Sequence, residues 1–423
     1  MTQSQGLSEA GCALAVTASD FDEDGDLDLI VANDFGPDIE PNRFYRNNTH
    51  TPNGAGFGFT EVGTEINADQ AIYGMGIAIG DYDQDLDLDY YITNNGSNIL
   101  LNNDGAIFSE IAMESKADNT WNVQDSIFAV GWGCAFLDID NDTDLDLYIT
   151  NGFVPGPDFL PTNISDRDRI LVNNGDGTFK DDDPDYQIDN AFVARGMAYS
   201  DLDNDGDLDI ISVVQKAPIN ATRNTKMFLN QLPTDDNQHN WLQIKLTGTT
   251  VNRDAYGSKV YVYAGGQTFL QESNGGASHC SNSTSILHFG LGNIESVDSL
   301  KVIWTGGWKA QTHTDIQVNR RIIVTEDELA FTTNTQDLPF GAALKLYPNP
   351  NRQEMFLEIP SSIQTQSLEY AIFSMAGQAI LPFQKLDVHS ASIKIDTQAL
   401  PSGIYFLRLK NETAQETFKF VKH

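Results

Sequence analysis

Residues 20–28 read DFDEDGDLD, and the pattern returns as DYDQDLDLD at 81–89, DIDNDTDLD at 138–146 and DLDNDGDLD at 201–209. The four strings start 61, 57 and 63 residues apart. Small and apolar residues precede them, as in GMGIAIG before Asp81 and GWGCAFL before Asp138, and β-prone runs such as LIVAN and LYITN follow. A second turn and short strand come next, in RFYRNN, ILLNNDGAIFSEI, ILVNNGDGTFKD and MFLNQ. Strand, acidic loop, strand, turn and strand at a period near 60 residues predict an all-β chain of propeller blades rather than a helical solenoid.

Five alternating aspartates in nine residues repel one another unless a cation sits among them, and calcium takes six to eight oxygen ligands. The candidate ligands are Asp20, Asp22, Asp24, Asp26 and Asp28; Asp81, Asp83, Asp85, Asp87 and Asp89; Asp138, Asp140, Asp142, Asp144 and Asp146; and Asp201, Asp203, Asp205, Asp207 and Asp209. Loop positions 1, 3, 5 and 9 offer carboxylates, and position 7 offers its backbone carbonyl. Up to four structural calcium sites follow. Position 6 must turn sharply, which suits Gly25 and Gly206 but not Leu86 or Thr143, so loops two and three are expected to lose calcium first. An EF-hand needs a bidentate Glu at position 12, where this chain has Val31, Ile92, Ile149 and Ser212.

Charge divides the chain. It has 423 residues and a net charge of -35; residues 1–239 carry 44 acidic and 10 basic side chains, residues 240–326 carry 6 and 7, and residues 340–423 carry 7 and 8. An acidic domain (1–239), a near-neutral one (240–326), a polar linker (327–339) and a C-terminal module (340–423) are expected. The charge repels nucleic acid and anionic lipid, no apolar run is long enough to span a membrane, and three cysteines cannot staple a chain of this length.

The DxDxDGDLD-like strings, with the turn NNGDGTF at 173–179, resemble the FG-GAP/VCBS repeats of integrin-α-like calcium-binding propellers. That family usually closes seven blades, so the four seen here imply either a four-bladed ring or part of a larger one, and the larger ring is favoured. Residues 241–326 carry NRDAYGSKVYV, GGQTFLQESNGGASHCSNS, LHFGLG, VDSLKVIWTGG and VNRRIIV, which resemble the ASPIC/UnbV domain found behind such propellers in secreted acidic proteins. An antiparallel sheet or small barrel is expected there. YPNP, MAGQ and LPSGIYFLRL within 344–423 resemble the type A C-terminal sorting domain of the type IX secretion system. The resemblance implies a small Ig-like β-sandwich, contact with the type IX machinery, and an extracellular or outer-membrane location.

Catalytic motifs are lacking: no GxSxG, HExxH, P-loop or CxxC occurs, and Gly290-Leu291-Gly292 lacks the third glycine of a dinucleotide loop. His279 and Cys280 are read as structural residues on opposite faces of a strand, and Cys134 as a packed thiol. Trp132 and Trp304 read as core, whereas Trp121 and Trp308 are candidates for a contact surface. The opening MTQSQGLSEAGCALAV is too polar for a signal peptide, which points to a fragment or a misplaced start. The sequence is thus read as a secreted or surface-displayed, calcium-stabilised, non-enzymatic module that binds an extracellular protein or polysaccharide. The alternative is a propeller enzyme acting on polysaccharide, lyase-like.

Overall fold

The computed structural model describes residues 6–7, 10–49, 58–105, 107–122, 127–152, 167–181, 193–214, 225–232, 239–306, 309–326, 332–334, 345–347, 354–358, 368–374, 379–386, 392–398, 400–401, 403–410 and 415–422. All regular structure among them is β, arranged in two compact units, 1–333 and 334–423.

Four antiparallel meanders carry the repeats. The first sheet is β1 (Cys12–Ser19), β2 (Asp28–Asp34), β3 (Arg43–Asn47) and β4 (Phe59–Glu61); the second is β5 (Ile77–Gly80), β6 (Asp89–Ile92), β7 (Ile99–Asn103) and β8 (Phe108–Glu110). A small pair, β9 (Thr120–Asn122) and β10 (Ile127–Phe128), precedes the third sheet of β11 (Gly131–Leu137), β12 (Asp146–Asn151), β13 (Arg169–Asn173) and β14 (Phe179–Asp181). The fourth has three strands, β15 (Ala194–Ser200), β16 (Asp209–Val214) and β17 (Lys226–Phe228). Strand order equals chain order in each. The register is also common to all four: Ser19 pairs with Asp28, Gly80 with Asp89, Leu137 with Asp146 and Ser200 with Asp209. Every acidic string therefore closes the hairpin between the first two strands of its sheet.

Neighbouring sheets bury their faces against one another. Ile30, Ala32 and Phe44 of the first pack on Ile77, Tyr90 and Ile92 of the second. Tyr91 and Leu100 meet Cys134, Phe136 and Ile149, and Tyr148 and Ile170 meet Met197 and Ile210. Among the described residues this series stays open. Four residues before the first aspartate, Ile77, Cys134 and Met197 are 0% exposed, yet Val16 is 59% exposed. At the other end, Phe44, Leu100 and Ile170 are at most 2% exposed, whereas the corresponding Met227 is 58% exposed. Both faces keep the composition of a sheet-to-sheet contact, and among the described residues neither meets a partner sheet.

Residues 240–325 add two further sheets to the same unit. One is β18 (Asn240–Thr247), β21 (Ile286–Gly292), β24 (Arg320–Thr325) and β25 (Thr332–Asn334), in the order β21-β18-β24-β25; the other is β19 (Lys259–Ala264), β20 (Gln267–Glu272), β22 (Ser296–Trp304) and β23 (Lys309–Gln317), in the order β20-β19-β22-β23. The expected antiparallel arrangement needs one correction, because β18 and β24 pair in parallel, Leu242 opposite Arg320 through Thr247 opposite Thr325. Strand β23, KAQTHTDIQ, went unanticipated because it is a polar edge strand with most side chains toward solvent. Leu242, Ile244, Val260, Val262, Leu300, Trp304 and Val324 form the core between the sheets. Strand β25 lies in the stretch expected to be linker.

The loop 273–285 leaves this module and runs along the first strands of the meanders. Ser278 N–H donates to Ile77 O, Ser278 Oγ accepts from Cys134 N at 3.0 Å, and His279 Nδ1 lies 2.9 Å from Met75 O. Residues 279 and 280 are therefore not in a strand as expected. Cys280 turns outward at φ 49° while His279 is buried, edge-on to Trp132.

The unit 334–423 has two antiparallel sheets, β26 (Lys345–Tyr347), β27 (Glu354–Glu358) and β30 (Ser392–Asp396), and β28 (Leu368–Ser374), β29 (Ala379–Leu386), β31 (Gly403–Lys410) and β32 (Gln415–Lys422). Met355, Leu357, Ile372, Leu407, Leu409 and Phe420 fill its core.

Candidate metal centre

Each acidic string brings three carboxylates to one point. Oxygens of Asp20, Asp22 and Asp28, of Asp81, Asp83 and Asp85, of Asp138, Asp140 and Asp146, and of Asp201, Asp203 and Asp209 lie within 4.8 Å of one another in their own loops. Positions 1 and 3 take part every time. The third member is position 9 in loops one, three and four and position 5 in loop two.

Position 9 also carries the fold. Asp28, Asp89, Asp146 and Asp209 each accept the N–H of position 2 on one oxygen and, on the other, the N–H of an asparagine after or at the end of the third strand: Asn47 at 2.7 Å, Asn103 at 2.8 Å, Asn173 at 2.8 Å and Asn230 at 2.9 Å. Position 5 closes an Asx turn instead, as Asp24, Asp85, Asp142 and Asp205 accept the N–H of position 7 at 2.9–3.1 Å.

Position 6 is left-handed in all four loops, with φ 93° at Gly25, 77° at Leu86, 99° at Thr143 and 102° at Gly206. Leu86 and Thr143 thus adopt the glycine conformation rather than reshape the loop. Position 4 is left-handed too, at Glu23, Gln84, Asn141 and Asn204. That was not read from the sequence, although asparagine at two of these positions was a usable signal.

Side chains of positions 4 and 7 link successive loops. Gln84 Nε2 donates to Asp144 Oδ1 at 2.7 Å, and Asn141 Nδ2 to Asp207 Oδ1 at 3.1 Å. The strand-ending asparagines make a second set of links, donating to the position 2 carbonyl of the preceding loop: Asn103 to Phe21 O at 3.2 Å, Asn173 to Tyr82 O at 2.9 Å and Asn230 to Ile139 O at 2.7 Å. The repeated NN and NQ turns signalled these residues, but nothing in their spacing told which loop they reach.

The second module grips the same loops. Lys259 Nζ lies 3.2 Å from Asp20 Oδ2 and 3.3 Å from Glu23 Oε1, while Glu272 Oε2 accepts Asp20 N–H at 3.2 Å. Arg321 Nη2 lies 3.4 Å from Asp201 Oδ2, and Gln243 Nε2 donates to the same oxygen at 2.9 Å. His288 Nε2 meets Asn141 Oδ1 at 2.6 Å; burial, with Arg321 nearby, pulls this imidazole down to about 3, so it is neutral. A Cβ on Gly290 would collide with Asp138 Oδ2, and one on Gly206 with Trp241. The glycine of the GLG string thus lets the module approach loop three, a role its sequence context did not show.

Electrostatically the loops are overcharged. Burial pushes Asp28 and Asp89 up to about 9 and Asp81 up to about 7, and it drives Asp138 and Asp146 well above the carboxylate range. Asp20 is raised as well, because burial costs it more than Lys259 returns. Buried oxygens Asp20 Oδ1, Asp22 Oδ1, Asp81 Oδ1 and Asp201 Oδ1 have no hydrogen-bond donor. Convergent hard oxygens, raised proton affinity and unserved lone pairs together fit an oxygen-seeking cation. Of the other residues singled out, Trp304 is buried, Trp132 is half-buried beneath the Arg195 guanidinium at 3.9 Å, and Trp308 and the Trp121 side chain lie outside the described residues.

Comparison with known proteins finds three family models along the chain. Residues 20–92 match the FG-GAP-like repeat model, residues 248–330 the ASPIC and UnbV model, and residues 345–423 the secretion system C-terminal sorting domain model. Cartilage acidic protein 1 of Xenopus tropicalis is 27% identical over 267 residues, which are 59% of this chain and 36% of that protein. The chain thus spans about a third of that relative's length. A DUF3244 family protein from Bacteroides vulgatus with an immunoglobulin-like β-sandwich is 20% identical, covering 19% of this chain and 85% of its own at a TM-score of 0.17. The extracellular domain of a putative hybrid two-component system from B. thetaiotaomicron is 8% identical, covering 100% and 58% at 0.29. No helix among the described residues is long and apolar enough to cross a membrane. The sorting domain marks a secreted or cell-surface protein. The chain combines FG-GAP-like repeats, an ASPIC and UnbV domain and a type IX secretion sorting domain.

Proposed function

We propose that the chain is a calcium-stabilised binding module for an extracellular protein or polysaccharide, exported by the type IX system, and that it acts without catalysis. The observation that carries the calcium reading is the set of buried position 1 carboxylates, Asp20, Asp81 and Asp201, each with one oxygen that receives no hydrogen bond, each aimed at a three-carboxylate cluster. Asp81 and its partners would supply oxygen ligands, and the ion would supply the positive charge that lets these loops close while ionised. The non-catalytic reading rests on the sequence, which carries no GxSxG, HExxH, P-loop or CxxC motif. The meanders are read as blades of a larger propeller, on the strength of the two open apolar faces at Val16 and Met227.

The test is thermal melting of the chain with calcium, with magnesium and with chelator. A single site saturated at a hundredfold excess over its dissociation constant adds about 2.7 kcal/mol. Calcium should raise the melting temperature and magnesium should do so poorly, because octahedral magnesium gives up its water reluctantly. An unchanged melting temperature would refute the calcium reading.

A further inference from the structure

The four loops share one backbone, so turn strain does not rank their affinities: left-handed φ values at positions 4 and 6 are in place in every loop. What differs is the resident positive charge. In loop one, Lys259 Nζ sits 3.2 Å from Asp20 and Arg46 Nε sits 2.8 Å from Asp22. In loop four, Arg321 sits 3.4 Å from Asp201. In loop two, the place of Arg46 is taken by Asn102, whose Nδ2 reaches Asp83 Oδ2 at 2.8 Å with the same geometry and no charge. Asp81 has no cationic partner among the described residues, and its Oδ1 is buried without a donor.

Resting on the reading that the loops hold calcium, we propose that loop two is a tighter cation site than loops one and four, and that Lys259, Arg46 and Arg321 are built-in counter-cations that weaken those two. The ranking reverses the one that glycine at position 6 suggests. Each protein cation already neutralises part of the carboxylate charge an incoming divalent ion would use, and it repels that ion across a partly buried distance, an effect on the order of tenfold in affinity per cation. The linkage is reciprocal: an ion in loop one or four loosens the hold of the second module by the same factor.

Trp241 packs on Gly206 of loop four, so terbium bound there is excited through this indole. In the full chain, Arg321→Gln should tighten Trp241-sensitised terbium binding about tenfold, Arg321→Lys should leave it near wild type, and Trp241→Phe should remove the signal. In calcium calorimetry, Asp81→Asn should delete a tighter site than Asp201→Asn does. Unchanged or weaker terbium binding in Arg321→Gln would overturn the proposal, as would an Asp81→Asn chain that loses a site no tighter than the one Asp201→Asn loses. The second arm decides alone if Arg321→Gln does not fold. Absence of any calcium or terbium binding to the wild-type chain would instead overturn the calcium reading beneath it.

Discussion

Asn173 makes four bonds from one buried position: its N–H donates to Asp146, its side-chain amide donates to Tyr82 O of the preceding loop and to Leu145 O of its own, and its Oδ1 accepts the Gly175 N–H. Alanine would keep the first and leave both carbonyls without that donor. The expected cost of Asn173→Ala is about 1–3 kcal/mol, read by chemical denaturation in calcium. Thr143 poses the opposite case. Held at φ 99°, it stores strain on the order of 1 kcal/mol that Thr143→Gly should release into stability. Calcium titration of that variant should show an unchanged affinity, because the loop has the same backbone before and after; a tightened site would restore the glycine ranking.

The acidic hairpin loop has its own pH response. With metal removed, Asp28 and Asp89 hold protons up to about pH 9, far above the ordinary carboxylate value they have in the unfolded chain. Between those limits the folded loop binds more protons than the unfolded one, so stability is present at low pH and falls as pH rises toward 9. The chelated chain should therefore melt at a higher temperature at pH 5.5 than at pH 8. Calcium should flatten or reverse that slope, since a bound ion favours the ionised form. A chelated protein that is more stable at pH 8 would show that these carboxylates are already compensated.

At the scale of the whole molecule, the open faces at Val16 and Met227 are the main exposed remnants of an otherwise repeated sheet-to-sheet contact. Purified chains should self-associate through them, each copy's Met227 face being of the type that covers a Val16 position. Val16→Lys with Met227→Lys should shift light scattering toward monomer without lowering the melting temperature, and an unchanged oligomer would place the contact elsewhere. The C-terminal unit is separable by its own core. Ending the chain near Pro339, with an export signal supplied, should leave the remaining unit folded and confine it to the periplasm of a Bacteroidota host. Surface exposure equal to that of the full chain would reassign residues 345–423 to adhesion.

What the sequence determined by itself was local and periodic. Alternating aspartates between β-prone runs set the hairpin loops, and the recurrence near 60 residues set the repeated sheets; the charge division marked the acidic repeats by composition, although they share one compact unit with the first near-neutral module. These are legible because a nine-residue loop and its flanking strands satisfy most of their backbone within one repeat. Only the tertiary structure decided the rest. Lys259, Arg321, Gln243 and His288 reach the loops from strands tens to hundreds of residues away, and no spacing announces a partner at that separation. The parallel pairing of β18 with β24 depends on a crossover that strand patterns do not encode. The proposed order of loop two above loops one and four has the same cause: backbone strain is a property of each loop alone, whereas the charge opposing an ion is set by side chains that folding brings to it.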